Sequence, residues 1–201
     1  MRSFVTIVVL IVSIITLNAQ TSGSYKVDPD HSNILTKVQH MGAGYVWGRF
    51  DTFSGDVNFS SEDPSKSSIN VQISADSIDT HQEKRDQHLK SPDFFNAKEF
   101  AVITFKSSSV KKVDDKTYEV AGDITLHGVT KPITTQVKVT GAGKGMKGEE
   151  RVGTETTFNL KRSDFGMNFM PGGIGDDVQV VMNLEGIKQA PGAAPAPAPA
   201  Q

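Results

Sequence analysis

Strict alternation of apolar and polar residues runs through most of this chain, and a period of two is the signature of β-strand, whose successive side chains point to opposite faces. Ile34, Thr36, Val38 and His40 fall on one face, with Leu35, Lys37 and Gln39 on the other. Tyr118, Val120, Gly122, Ile124 and Leu126 alternate with Glu119, Ala121, Asp123 and Thr125. The pattern returns in Ile133, Thr135, Val137 and Val139, in Thr154, Thr156, Phe158 and Leu160, and in Val178, Val180, Met182 and Leu184. Each such strand has one apolar and one wet face.

Turn chemistry separates these runs at Asp114-Asp115-Lys116, at 127–132 and in the glycine-rich stretch 141–148, read as a flexible hairpin loop. The count is about eight strands, mostly joined by short links, which makes the fold all-β. An antiparallel barrel of about eight strands manages its edges by closing and leaves an interior wide enough for one ligand. A two-sheet sandwich satisfies the same alternation. One segment, about 80–95, breaks the period: Thr80-His81-Gln82-Glu83 fits a capping box ahead of a helix over about 81–90, with Asp86 and Lys90 at i,i+4 spacing. Ser91-Pro92-Asp93 then starts a second short turn, so a helical plug sits in mid-meander.

The ends do not belong to this pattern. Residues 1–19 place Arg2 ahead of a Val/Ile/Leu run too short to span a bilayer, the layout of a signal peptide with cleavage expected after Ala19. Residues 190–201 are an Ala/Pro tail that cannot bury a face and is expected to be a disordered spacer. A single domain is therefore expected over 24–188, in a protein that is periplasmic or secreted and makes no stable membrane insertion. The chain has 201 residues and no cysteine, so neither disulfide nor thiol chemistry enters. A formal net charge of −2 with interspersed signs offers no footprint for nucleic acid.

Chemistry-bearing motifs are weak. His81 and His88 lie seven residues apart, too far along a helix to grip one ion, so no metal is expected. Asp164-Phe165-Gly166 has none of the companions of a kinase metal-binding triplet, and there is no Gly-x-Ser-x-Gly elbow. No catalytic residue and no cofactor is assigned. What remains is a surplus of apolar side chains, which periodicity alone reads first as ordinary core and only second as the wall of a ligand cavity.

His31-Ser32 with Ile34-x-x-x-Val38-x-His40, Gly48-x-Phe50, Ser77-Ile78-Asp79-Thr80, Arg85-Asp86-x-His88-Leu89 with Ser91-x-Asp93-Phe94-Phe95, 122–132 with its Leu126-His127-Gly128, and Arg162-Ser163-Asp164-Phe165-Gly166-Met167 occur in order. Taken together they resemble the YceI-like family of exported polyisoprenoid-binding proteins. Thr36 and Ala101 depart from the pattern, standing where an aromatic residue and a proline often occur. The resemblance implies an extended, lipocalin-like barrel whose pore holds an isoprenoid chain, a quinone or a similar amphiphile, and it raises homodimerisation.

On that reading the apolar pore is assigned to Ile34, Val38, Phe50, Phe53, Phe105, Ile124, Leu126, Phe158, Phe165, Met167, Phe169 and Met182. The polar head is assigned to His40, Arg85, His88, Arg162 and Asp164, with segment 80–95 as a lid. Two alternatives stay open for the charged residues: the Arg85-Asp86 and Arg162-Asp164 pairs either bind the head or tie loops to the barrel. For function the expectation is a non-catalytic lipid carrier. Against it stand a stress-related or partner-binding envelope protein and an enzyme acting on an isoprenoid or quinone through His40.

Overall fold

In the computed structural model, which describes residues 22–190, the alternating segments form one antiparallel sheet that closes on itself. The expected signal segment 1–19 and tail residues 191–201 lie outside the described residues. The strands are β1 (Gly23–Val27), β2 (Asn33–His40), β3 (Gly44–Phe50), β4 (Phe53–Phe59), β5 (Ser68–Ser74), β6 (Ile78–Asp79), β7 (Val102–Lys112), β8 (Thr117–Leu126), β9 (Val129–Lys144), β10 (Glu150–Lys161) and β11 (Ile174–Lys188); the α-helix, α1, is Glu83–Leu89.

Three pairs of segments are the two halves of bent staves. β1 and β2 both lie against β11, and their other edges take β4 and β3, which in turn pair with β5 and β6. With those halves joined, the ring has eight staves in chain order, and the pairing of Tyr25 with Lys188 and Val27 with Gly186 brings the last back to the first. That closure excludes the sandwich. The first bend is a 3-10 turn, Pro29–His31, where proline has no amide to give a ladder and the Asp28 carboxylate accepts from the Asp30 amide at 3.1 Å.

The turns are tighter than the sequence suggests. Only His127 and Gly128 connect β8 to β9, both at positive φ (52° and 73°), the backbone of a two-residue hairpin turn whose twist matches its strands. Thr130, Lys131 and Pro132 are already strand. Likewise, residues 141–144 pair with β10 and only 145–149 turn, because ladder bonds use backbone that glycine supplies as well as any residue. Gly122 is required for a different reason: a Cβ there would come within 2.4 Å of the Lys106 carbonyl and 2.7 Å of the Phe105 ring. β7 and β8 close up at this point, beside a bulge between Ser107 and Ser109.

The helix is shorter than expected and is capped differently. Gln82, not Thr80, is the N-cap, its side-chain oxygen accepting from the Arg85 amide at 2.7 Å. His81 adopts a positive φ of 59°, which turns the chain between Thr80 and the helix start, so the reciprocal Thr80–Glu83 box does not form. The Thr80 hydroxyl instead donates to Asp86 and accepts from Arg85 Nε at 2.7 Å. Lys90 reaches Asp76 at 3.6 Å rather than Asp86. The Ser91 hydroxyl accepts from the Asp93 amide at 3.4 Å in the turn that follows.

The inward faces meet in two clusters. The larger, around Ile34, Phe50, Ile78, Ile124, Leu126 and Phe165, lies beneath the helical segment. The smaller, Val110, Tyr118 and Val120 backed by Phe59 and Val137, fills the opposite end, where the Phe59 and Tyr118 rings meet edge to face at 5.0 Å.

Candidate functional site: an apolar pore

Between the two clusters the barrel encloses a cavity of about 650 Å³, within the range of small-molecule sites. Its wall is drawn from the alternating residues: Ile34 and Val38 of β2, Phe105 of β7, Ile124 and Leu126 of β8, Phe158 of β10 and Met182 of β11. Phe50, Met167 and Phe169 line it as well. Phe53 and Phe165 do not. Both are buried in the larger cluster behind the wall, Phe53 at the start of β4 just past a stave bend and Phe165 in a 3-10 turn whose carbonyl accepts from His127 Nδ1 at 2.8 Å.

Threonines interrupt the wall without making it polar, since most of their hydroxyls serve the barrel. Thr154 donates to the Leu184 carbonyl at 3.2 Å, Thr156 to the Gln136 carbonyl at 2.8 Å, and Thr36 to the Gly48 carbonyl at 3.4 Å. Among the described residues no buried side-chain nitrogen or oxygen lacks a partner. The wall therefore presents methyl and methylene groups, suited to hydrocarbon and hostile to an unpaired polar group.

Among the described residues, no carboxylate lines the cavity. Its cationic and imidazole side chains, His40, Arg85, His88 and Arg162, all belong to one end, where the β2–β3 hairpin, α1 and the segment 162–174 converge. Tyr25 and Tyr118 stand at the other end. Burial pushes both phenols above their ordinary pKa, helped at Tyr25 by the nearby Glu150 carboxylate and at Tyr118 by Asp115 and Asp114 against Lys112, so that floor stays neutral.

Within the mouth the charged residues differ. Arg162 is 6% exposed and spends its guanidinium on three backbone carbonyls, Met167 at 2.6 Å, Gly175 at 3.0 Å and Ile174 at 3.1 Å. None of these bonds goes to Asp164, which is exposed. Arg85 donates to the Thr80 hydroxyl and, at 2.8 Å, to the Thr80 carbonyl, fastening α1 to the barrel. His88 Nε2 lies 2.8 Å from the Asp93 carboxylate, and its ring packs against Phe94 and Phe169. His40 sits exposed on the rim.

Sequence reasoning missed part of the wall, notably Phe94 and Phe95 from the turn after α1 and Val57, Ile69 and Val71 from β4 and β5. The alternation of Val57 with Phe59 and of Ile69 with Val71 was the available signal. It also missed the cluster at the far rim, where Asp28, Glu149 and Glu185 surround Arg151. Asp28, His31 and Glu185 are grouped closely enough to hold a metal ion, but the Arg151 guanidinium already bonds both carboxylates. The donor carboxylates are already engaged by a cation of the protein's own, a poor fit for a metal.

A closed eight-stave barrel around an apolar, ligand-sized interior defines a lipocalin-like hydrophobic-ligand-binding barrel. The model of the YceI-like domain matches residues 25–186, and the chain belongs to the YceI family. Protein YceI of Salmonella arizonae is 35% identical over 176 residues, covering 87% of this chain and 92% of that protein. The crystal structure of the Campylobacter jejuni YceI protein is 29% identical, with a TM-score of 0.64 over 77% of this chain and 91% of that one. Two more distant structures show the fold. They are Burkholderia cenocepacia BcnA (24% identity, TM-score 0.72, 79% of this chain and 98% of that) and a polyisoprenoid binding domain from Saccharophagus degradans (18% identity, TM-score 0.66, 82% and 98%).

Proposed function

We propose that this protein encloses and carries a long isoprenoid-type lipid, a polyisoprenoid, quinone or similar amphiphile, as an exported, non-catalytic binding protein. The observation that carries the reading is the polarity of the pore: hydrocarbon along its length, neutral at one end, cationic and imidazole groups confined to the other, and no carboxylate on the wall among the described residues. Such a pore takes an apolar tail inward and keeps the head at the mouth, near His40 and His88. The polyisoprenoid binding domain that shares this fold supports the choice of tail.

The energetics favour enclosure over a surface groove. Each buried methylene contributes about 0.8 kcal/mol, so a tail of several isoprene units has more gross burial energy than non-covalent complexes display as net affinity, about 20 kcal/mol at most. A molecule of that kind scarcely exists free in water, and a water-borne carrier must cover nearly all of its tail. The resemblance in residues 1–19 to a signal peptide supports a working place in the periplasm or outside the cell. Catalysis finds little support in a wall without a carboxylate or a nucleophile–base pair.

Delipidated protein, offered a panel of polyprenols, polyprenyl phosphates, ubiquinone and straight-chain fatty acids in detergent, tests the reading by gel filtration and extraction of the protein peak. One isoprenoid per chain is the expected result. Retention of no isoprenoid by folded protein would refute it.

A further inference from the structure

Beyond the pore, one face of the molecule has the composition of a membrane interface. Met41, Tyr45 and Trp47 of the β2–β3 hairpin are 57%, 60% and 50% exposed, and Met170, on the neighbouring 166–173 loop, is 40% exposed. The two elements form one surface, because the Met41 amide donates to the Gly173 carbonyl at 2.7 Å. Met170 also lines the cavity, so this surface continues the pore wall outward over the rim.

Its charge is as unusual as its apolarity. In a chain that is 22% charged, residues 165–175 carry no Asp, Glu, Lys or Arg and residues 37–48 carry Lys37 alone. The Lys37 ammonium lies 4.2 Å from the centre of the Tyr45 ring and 5.4 Å from that of Trp47. Amphipathic rings with a lysine beside them, on two segments that hold no carboxylate of their own and with Asp176 at the edge already bonded to Ser163, match the headgroup level of a bilayer, where Tyr and Trp collect and Lys keeps its charge toward phosphate.

We propose that this face docks the barrel, mouth first, on a phospholipid surface, so that cargo passes between bilayer and pore without crossing water. The proposal rests on the lipid-carriage reading, which supplies the reason for the contact, while the surface itself is independent evidence of a lipid partner. Docking is peripheral: the charged helix α1 forms the other side of the mouth and stays in water. The occupant is a bilayer rather than a second copy, because the face adjoins the opening through which a membrane-dissolved ligand must pass.

Trp47 is the single tryptophan of the chain and reports on this face directly. The protein as isolated from its own cells is mixed with vesicles of phosphatidylethanolamine and phosphatidylglycerol free of isoprenoid, and Trp47 emission and vesicle flotation are recorded. Docking predicts a blue shift, quenching by acyl chains brominated near the headgroup, and flotation that falls at least about tenfold in M41D/Y45D, neither of which lines the cavity. The same variant must still load isoprenoid from detergent micelles, so a defect in carriage is distinguishable from a defect in docking. Unchanged Trp47 emission and no flotation, with loading intact, would overturn the docking face and leave carriage standing. A blue shift that instead follows protein concentration without vesicles, alongside a dimer in light scattering, would also overturn it, assigning the face to a second copy.

Discussion

The imidazole of His88 and the ring of Phe169 meet edge to face with centroids 4.9 Å apart, joining helix α1 to the loop after Phe165 across the mouth of the pore. Phe94 completes the contact, 5.0 Å from His88 and 5.3 Å from Phe169. The two sides of the mouth touch through aromatic rings and are otherwise anchored separately, α1 by Arg85 on Thr80 and the loop by Arg162.

An aromatic contact of this kind contributes about 0.5–1.5 kcal/mol beyond area burial. Phe169→Ala is therefore expected to raise the rate at which bound isoprenoid leaves the protein by about two- to tenfold, with melting temperature lowered by no more than roughly 5 °C. Stopped-flow transfer of a fluorescent polyprenyl analogue into detergent micelles measures this.

Arg162 separates a structural from a ligand-binding role. Its guanidinium holds three carbonyls from inside the 162–175 loop, a geometry that the single ammonium of lysine cannot reproduce. Arg162→Lys should lower stability by roughly 2 kcal/mol or more by leaving buried carbonyls unpaired, and thermal unfolding checks it. A variant of unchanged stability that loses only headgroup discrimination would return Arg162 to the binding residues.

Much of this architecture was legible because alternation is a strong signal where one face is buried. The inward residues named from the runs in β2, β8, β10 and β11 line the cavity, except Gly122, which has no side chain to present, and with His40 out at the rim. The signal fails where the chain stops being periodic. Phe53 and Phe165 look like wall residues by type, but a stave bend and a 3-10 turn aim them into the packed core. Thr80 looks like a helix cap until His81 turns left-handed, a choice that neighbouring sequence does not encode strongly. The Asp28–Arg151 ion pair joins residues 123 apart in sequence, which no local pattern can show.

Blocking the pore should abolish binding without unfolding the barrel. Met182 lines the cavity and is only partly buried, so Met182→Trp can place its ring in open space. Isoprenoid stoichiometry is expected to fall below about a tenth of wild type while far-ultraviolet circular dichroism is retained. Gly122→Val is the contrasting case: the added side chain meets the Lys106 carbonyl and should destabilise the barrel by about 1–3 kcal/mol.

The rim cluster sets an acid limit. Burial pushes the Asp28 carboxyl up, but hydrogen bonds from His31, Arg151 and the Asp30 amide outweigh it and leave the group below the usual carboxylate range. Asp176 is also held low, first by the amide and then by the hydroxyl of Ser163 at the mouth. A depressed carboxylate contributes stability that is present above its unfolded pKa of about 4 and is lost as the pH falls through the lower folded value. These two groups predict flat stability from about pH 5 to 8 and a decline below about pH 4. In Asp28→Asn that decline should be shallower and stability at pH 7 lower, as followed by thermal melts across the range.

The most direct test of the central claim is native mass spectrometry of the protein isolated from its own cells, followed by organic extraction of what it releases. The account predicts a single adduct of isoprenoid-type lipid per chain, absent from Met182→Trp. Folded wild-type protein that carries no lipid, and takes none up when polyprenyl phosphate or quinone is supplied, would contradict it.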